Sequence, residues 1–253
     1  MKYRAIWAIY HYEMSRAWRT LVQTLVAPVI FTSLYFVVFG AAIGPSMQDI
    51  AGVSYAAYIV PGLVMLAVLT QSVANASFGI YFPKFTGSIY ELLSAPLSYA
   101  EITFGFVSAA ASKAIIVALI IMGTARLLVD YQILHPIWMV LFLLLTAFTF
   151  SLLGFIIGIW ADNFEKLQLV PMIIVMPLTF LGGSFYSIHM LPPFWQAVSL
   201  LNPAVYLVNG FRWSFYGSSD INPWLSVAVT GAFMVVFLSV LAWVFRTGYR
   251  LRP

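Results

Sequence analysis

The sequence alternates between long apolar stretches and short polar ones, and this pattern predicts helices that cross a membrane. A spanning helix needs about 20 apolar residues, because the hydrocarbon core is about 30 Å thick and a helix rises 1.5 Å per residue. Together the qualifying stretches occupy more than half of the chain, so we predict one membrane domain. They are Leu21–Gly44, Tyr55–Tyr81, Ile102–Leu128, Pro136–Trp160, Leu167–Phe185 and Pro223–Phe245.

The composition supports a helical membrane protein and excludes two other classes. Of the 253 residues, 62% are hydrophobic and 8% are charged, and the mean hydropathy is +0.96. A soluble domain devotes about a quarter of its residues to charge, and a disordered chain needs low hydrophobicity. The net charge of +4 is too small to indicate nucleic acid. Without any Cys, the chain has no thiolate for a metal or a nucleophile.

The positions of Lys and Arg predict that both termini are cytoplasmic. Basic residues are enriched in cytoplasmic loops. With the N-terminus inside, the outer side carries only Arg126 and Arg212, and Lys113 lies within span 3. The cytoplasmic side then carries Lys2, Arg4, Arg16, Arg19, Lys84, Lys166, Arg246, Arg250 and Arg252.

Residues 1–20 predict an amphipathic helix that lies flat at the membrane interface. Tyr3, Trp7, Tyr10, Met14 and Ala17 recur at helical spacing, and basic residues occupy the rest of the wheel. A basic, aromatic-rich helix of this kind binds in the headgroup layer. Two uses remain open, a simple anchor and a docking surface for a cytoplasmic partner.

The loop after span 2 predicts a short helix over about 83–95. Pro83 suits a first helical turn and Pro96 stops the helix. Ser98 and Glu101 then form a capping box that opens span 3. The short helix has one apolar face, which is compatible with contact to a partner or with resting on the membrane.

The segment between spans 5 and 6 predicts a pair of re-entrant helices, over about 190–217. Its pieces are too short to span and too apolar to be free loops, and Asn202-Pro203 separates them. Backbone at membrane depth must be hydrogen-bonded internally or buried against protein. Short helices that dip in from the outer face meet this requirement.

Three ordered groups of residues resemble the permeases of type-2 ABC exporters, in the drug, lipo-oligosaccharide and nodulation-factor export branch. The first is Tyr58-Ile59-Val60-Pro61-Gly62, and the second is Glu91-Leu92-Leu93 with Pro96-Leu97-Ser98. The third is Phe180–Phe185 followed by Leu191-Pro192, Asn202-Pro203 and Gly210-Phe211-Arg212. The resemblance covers essentially the whole chain.

The resemblance implies an all-α integral membrane protein that works as a half-transporter. Two copies would form the pathway and bind two separate cytoplasmic ATPase subunits, which would hold ATP and Mg²⁺. The substrate would be amphipathic or lipid-like. The short helix after span 2 would couple to the ATPase through Lys84, Phe85, Gly87, Ile89, Glu91 and Leu92. The helices before span 6 would close the outer exit, with Asn202, Pro203 and Arg212 as the outer gate.

Polar and aromatic residues within the spans are candidates for the pathway. Lys113 must face protein or water, and it has three interpretations: contact with an anionic headgroup, an ion pair, or a side chain that snorkels to the interface. Gln71 and Asn75 in span 2 either line a path or join helices. The aromatic candidates are Tyr35, Phe39, Phe180, Phe185 and Tyr186.

The sequence lacks the motifs of an enzyme. It has no Gly-x-x-x-x-Gly-Lys-Ser/Thr run, no zinc-protease or Gly-x-Ser-x-Gly motif, and no close carboxylate pair within a span. We therefore predict no catalytic residue, bound cofactor or metal in this chain. The alternatives to an ABC permease are an ion-coupled secondary transporter and a subunit of a membrane complex that does not transport. An intramembrane enzyme would need clustered catalytic groups, which the spans lack.

Overall fold

A computed structural model describes residues 3–50 and 52–250, and over these ranges the fold is helical with a single isolated bridge, Ile50–Val53. Six helices are long and apolar enough to span a membrane, as predicted. Their ends differ from the predicted ends by a few residues. The observed spans are Val22–Ser46, Tyr55–Thr86, Tyr99–Leu128, Pro136–Trp160, Phe164–Leu181 and Pro223–Thr247.

The helices follow one another in the predicted order. Spans 2, 3, 4 and 6 are single helices, α3, α5, α6 and α11. Span 1 contains α2 (Ala27–Tyr35), and span 5 contains α7 (Phe164–Val170) and α8 (Met176–Leu181). The helices outside the spans are α1 (Tyr3–Arg19), α4 (Ile89–Ser94), α9 (Pro193–Leu200) and α10 (Pro203–Tyr216).

Span 2 is the centre of the bundle, because α3 packs against α5, α6 and α10. In its most apolar stretch 83% of the residues are buried, against 17% in spans 1, 5 and 6. The backbones of α3 and α6 approach closely at Gly154 and Gly158, where an added Cβ would lie 2.4 Å from Val73 O and 2.3 Å from Ser77 O. This is the small-xxx-small packing of membrane helices.

Spans 1 and 5 are irregular, because each contains wide π-helical turns. In span 1 these turns are Val22–Val26 and Phe36–Ile43, and in span 5 the turn is Pro171–Val175. The proline nitrogens of Pro28 and Pro171 cannot donate to the preceding turn, which accounts for breaks near them. Such turns are frequent at functional sites in helices.

The two ends of the bundle differ in charge. At one end, Asp162 pairs with Lys166 at 2.8 Å and with Arg250, and the hydrogen bond from Lys166 lowers the pKa of the Asp162 carboxyl. Arg16 and Lys84 lie at the same end, and Arg126 lies at the other, where it pairs with Asp130. Lys2 and Arg252, which contributed to the predicted orientation, lie outside the described residues.

Helix α1 packs along α5, mainly through a different face from the aromatic one. Ile6, Ile9 and Glu13 are buried, whereas Tyr3 and Trp7 are 80% and 63% exposed. Ile9 sits over Gly105, where an added Cβ would be 2.9 Å from it. The predicted aromatic face is only partly exposed, because Tyr10 is half-buried and donates from its hydroxyl to Ser112 Oγ on α5 at 3.1 Å. A second face, with Ile6, Ile9 and Glu13, also fixes α1 to the bundle.

The segment predicted as one helix over 83–95 is two pieces in the structure. Helix α3 continues through Pro83 to Thr86, and α4 begins only at Ile89. The helix ends because Gly87 is in the left-handed region (φ +80°), with its N–H bonded to Lys84 O, as in a common helix C-cap. Pro83 therefore lies in the last turn of span 2 and not at the start of a new helix. The predicted capping box of Ser98 and Glu101 is confirmed.

Candidate functional site

A cavity of about 560 Å³ lies between α1, the start of span 1, α3 and span 5. Gln71, Asn75 and Lys113, which the sequence analysis singled out separately, all line it. Met172, at 70% exposure, lies at its mouth, so the cavity opens to the outside of the bundle between spans 1 and 5. The other polar side chains that line it are Arg16, Thr20, Gln23, Thr24, Thr70, Ser77 and Gln168.

A buried ion pair stands behind this cavity. Glu13 Oε2 lies 3.0 Å from Lys113 Nζ and 2.8 Å from Arg16 Nη2. The side chains of Glu13 and Lys113 are 2% and 3% exposed. Of the three interpretations of Lys113, the structure thus shows an ion pair, and the partner is on α1. A buried cation in a span is expected to find such a partner.

Four of the five predicted aromatic residues form one cluster, which we call the aromatic cluster: Tyr35, Phe39, Phe180 and Phe185. The ring of Phe185 lies 5.8 Å from Tyr35, 5.0 Å from Phe39 and 5.2 Å from Phe180. Tyr186 packs against the same part of the core without a ring contact to them among the described residues. Phe180 lies four residues beyond Met176, which lines the cavity, so the cluster fills the space between spans 1 and 5 beyond it.

The predicted gate residues tie the segment before span 6 to the bundle. Asn202 caps α10 by accepting from Ala204 N at 2.9 Å and donates to Leu178 O, and Pro203 is the first residue of that helix. Arg212 is 2% exposed, donates from Nη2 to Gly183 O at 2.6 Å, and stacks 4.1 Å from the Tyr58 ring centroid. Arg212 thus joins α10 to the turn after span 5 through a backbone carbonyl.

The predicted coupling residues divide between a buried and an exposed group. Ile89 is buried in the core, and Lys84 Nζ donates to Ile159 O and Ala161 O, at 2.7 and 2.9 Å, where it caps α6. Glu91 is exposed, and so is Phe85 at 62%. Leu92 is partly buried against the same cluster as Ile89, and Gly87 forms the turn between α3 and α4.

Comparison with known proteins identifies the family. The sequence profile described as ABC-2 type transporter matches residues 4–216. The chain belongs to the ABC-2 type transporter family. It is 39% identical to the inner membrane transport permease YadH of Escherichia coli (strain K12), over 98% of this chain and 96% of that protein.

More distant relatives include proteins named for nodulation. The chain is 22% identical to nodulation protein J of Rhizobium leguminosarum bv. viciae, over 86% of this chain and 83% of that protein. It is 28% identical to nodulation protein J of Sinorhizobium fredii (strain NBRC 101917 / NGR234), over 76% of this chain and 72% of that protein. With its six apolar helices, this ABC-2 family member is a multi-pass transport permease of the bacterial inner membrane.

The sequence analysis missed two features of this ABC-2 permease. Glu13 was overlooked because it lies among aromatic and basic residues on a helix expected to face lipid. The Gly154-Phe-Ile-Ile-Gly158 run in span 4 is a small-xxx-small motif, which is the signal from which its close packing on another helix could have been predicted. A carboxylate 100 residues away from a buried Lys gives no local signal, whereas the glycine spacing does.

Proposed function

We propose that this chain is the permease subunit of an ATP-driven exporter, which moves an amphipathic or lipid-like substrate outward as a dimer with two separate ATPase subunits. The observation that carries the proposal is the cavity that opens between spans 1 and 5 and is lined by both polar and apolar side chains. A polar cavity with an apolar mouth suits a molecule with a headgroup and an acyl chain.

A second copy is supported by the exposed apolar faces of spans 1 and 5. Only 17% of the most apolar stretch of each is buried, and both border the cavity mouth. Large side chains such as Phe31 (66% exposed) and Ile173 (63%) face outward. Association of membrane helices is driven by packing and not by exclusion of water, so these faces suit lipid as well as a second copy.

In this proposal ATP is hydrolysed by another chain, since the sequence has no phosphate-binding loop. We place ATP and Mg²⁺ on the partner ATPase, which would bind at α4. This helix is fixed to the bundle by Ile89 and presents Glu91 and Tyr90 outward. Because α4 follows the most buried span directly, a push on it would be transmitted through α3 to the cavity and the aromatic cluster.

Copurification and charge reversal at Glu91 test this proposal. The tagged chain, solubilised from its native membrane, is expected to carry an ATPase subunit. Glu91→Lys is expected to abolish ATP-dependent transport without unfolding the chain, since the side chain is exposed. The matched control is Asp130→Lys, a charge reversal at a fully exposed carboxylate at the other end of the bundle, which should leave transport unchanged.

Three results would contradict the proposal. One is transport by the chain alone in proteoliposomes, driven by an imposed proton or sodium gradient without nucleotide, as an ion-coupled secondary transporter would show. Another is equal ATP-dependent transport by Glu91→Lys and Asp130→Lys, which would remove α4 from coupling. The third is a complex that contains no ATPase and transports nothing, which would support a membrane subunit without transport activity.

A further inference from the structure

We infer that the substrate carries an oxyanion headgroup, which binds Arg16 and Lys113 in the cavity and competes there with Glu13. This inference rests on the proposed export function and deepens it by naming the substrate class. The headgroup would be a phosphate or carboxylate on an apolar chain. Loading the cavity would thereby break the ion pair between α1 and α5.

The charges around the cavity carry the first step. Arg16 and Lys113 are the charged side chains among the described residues that line it. Glu13 is not part of the lining, because it lies behind the two cations, close to the α3 backbone at Gly79. Two cations share one carboxylate, so these three side chains together carry a net charge of about +1 beside the cavity, which favours an anionic ligand.

Two buried polar atoms without hydrogen-bond partners also support an anionic ligand. Arg16 Nη1 and Glu13 Oε1 are buried and lack a hydrogen-bond partner. A buried guanidinium nitrogen without an acceptor is destabilising, and an oxyanion is its strongest acceptor. A guanidinium group can bind an oxyanion with two nitrogens at once. In Arg16, Nη1 has no hydrogen-bond partner and Nη2 is paired with Glu13 Oε2.

The rest of the lining fits the remainder of an amphiphile. Gln71, Asn75 and Thr70 on α3 offer hydrogen-bonding groups beside the cations, which suits hydroxyl-bearing headgroups. Met172 and Met176 on span 5 lead from the cavity to the outside of the bundle, and flexible Met side chains adapt to varied apolar chains. The volume of about 560 Å³ lies within the range of small-molecule sites.

Competition with Glu13 connects loading to the cytoplasmic machinery. Glu13 and Arg16 lie on α1, and Lys113 lies on α5. An oxyanion that takes both cations leaves Glu13 without its partners, so the contact that fixes α1 to α5 weakens. Cargo occupancy thus changes the position of a helix at the end of the molecule that we assign to the ATPase.

Equilibrium dialysis of radiolabelled decyl phosphate tests the inference, with the purified full-length chain in dodecyl maltoside micelles and empty micelles as the blank. We expect saturable binding of decyl phosphate by the native chain. Binding should be about tenfold weaker for Lys113→Gln, which corresponds to about 1.4 kcal/mol. Binding should be tighter for Glu13→Gln, because this substitution frees both cations. Lys166→Gln, at an exposed pair outside the cavity, is the matched control and should bind as the native chain does.

Two further arms keep the result decisive. The double variant Glu13→Gln/Lys113→Gln removes both members of the pair, so it leaves no buried unpaired charge from that pair and should fold while it binds weakly. Uncharged decyl glucoside tests whether binding requires the negative charge. Inorganic phosphate tests whether binding requires the apolar chain. The inference is overturned if the native chain does not bind decyl phosphate, if Lys113→Gln binds equally well, if Glu13→Gln binds more weakly, or if inorganic phosphate binds as tightly as decyl phosphate.

No ATPase takes part in this assay, so its failure is distinct from that of the proposed function. A chain that copurifies with an ATPase and exports, yet does not bind decyl phosphate, would refute only the substrate class. A chain that binds decyl phosphate with the expected variant pattern but never associates with an ATPase would refute the export complex and retain the site.

Discussion

At the scale of single residues, close backbone approach explains why certain positions hold Gly. Gly62 on α3 lies against the turn after span 5, and an added Cβ would be 1.9 Å from Ser184 O. The same turn supplies the carbonyl of Gly183 that accepts from Arg212. A substitution at Gly62 would therefore disturb the packing next to the predicted outer gate.

The pair Gly62→Ala and Gly123→Ala tests this packing. Gly62→Ala should destabilise the chain by about 1–3 kcal/mol through overpacking. Gly123 lies within α5 with no atom within 4 Å of an added Cβ, so Gly123→Ala should be neutral or stabilising by up to about 1 kcal/mol. Thermal unfolding in detergent measures both, and equal midpoints for the two variants would contradict the close contact at Ser184.

The partners of single side chains could be predicted from the sequence where the two residues are a few positions apart, but not where they are far apart in the chain. The capping box of Ser98 and Glu101 depends on a spacing of three residues, and it is present. The partner of Lys113 was not predictable in this way, because Glu13 comes from a helix 100 residues earlier. Burial of Glu13 depends on how α1 docks, which no short pattern encodes.

At the scale of elements, the joint between α3 and α4 is the point at which, in the proposed function, a force on α4 would enter the bundle. Gly87 adopts a left-handed conformation with open space around its Cβ position, so backbone strain alone opposes a side chain there. The apolar pattern predicted a helix but not this joint, because Pro83 looked like a helix start. Span 2 instead continues as one helix to Thr86, and Lys84 in its last turn donates to the carbonyls of Ile159 and Ala161 at the end of α6.

Substitution at Gly87 separates stability from coupling. Gly87→Ala is expected to cost about 1–2 kcal/mol at this joint, since an L-residue is strained in the left-handed region. It should lower the transport rate per ATP hydrolysed while the ATPase remains bound. Gly87→Asn should recover most of the native coupling, because Asn tolerates this conformation. Full coupling in Gly87→Ala would show that the joint has no role.

At the scale of the whole molecule, the cavity and the aromatic cluster follow one another between spans 1 and 5, and in the proposed function the cluster closes the route. The polar cavity is open to the side of the bundle, and the aromatic cluster beyond it is filled. The count and order of the spans were predictable because apolar length sets them. Which faces meet was not predictable, since spans 1, 5 and 6 bury little of their surface and the course of spans 1 and 5 depends on π turns.

The most direct test of the central claim, that a separate ATPase opens this chain, is the rate at which a short bifunctional thiol reagent cross-links Phe39→Cys to Phe185→Cys. Because the native chain has no Cys, these two residues are the only thiols in the variant. The centroids of the two rings that they replace are 5.0 Å apart. In the complex with its ATPase, cross-linking should be fast without nucleotide and slow with ATP and vanadate. In the chain alone, ATP should have no effect. Cross-linking that ignores ATP in the complex, or that responds to ATP in the chain alone, would contradict the account.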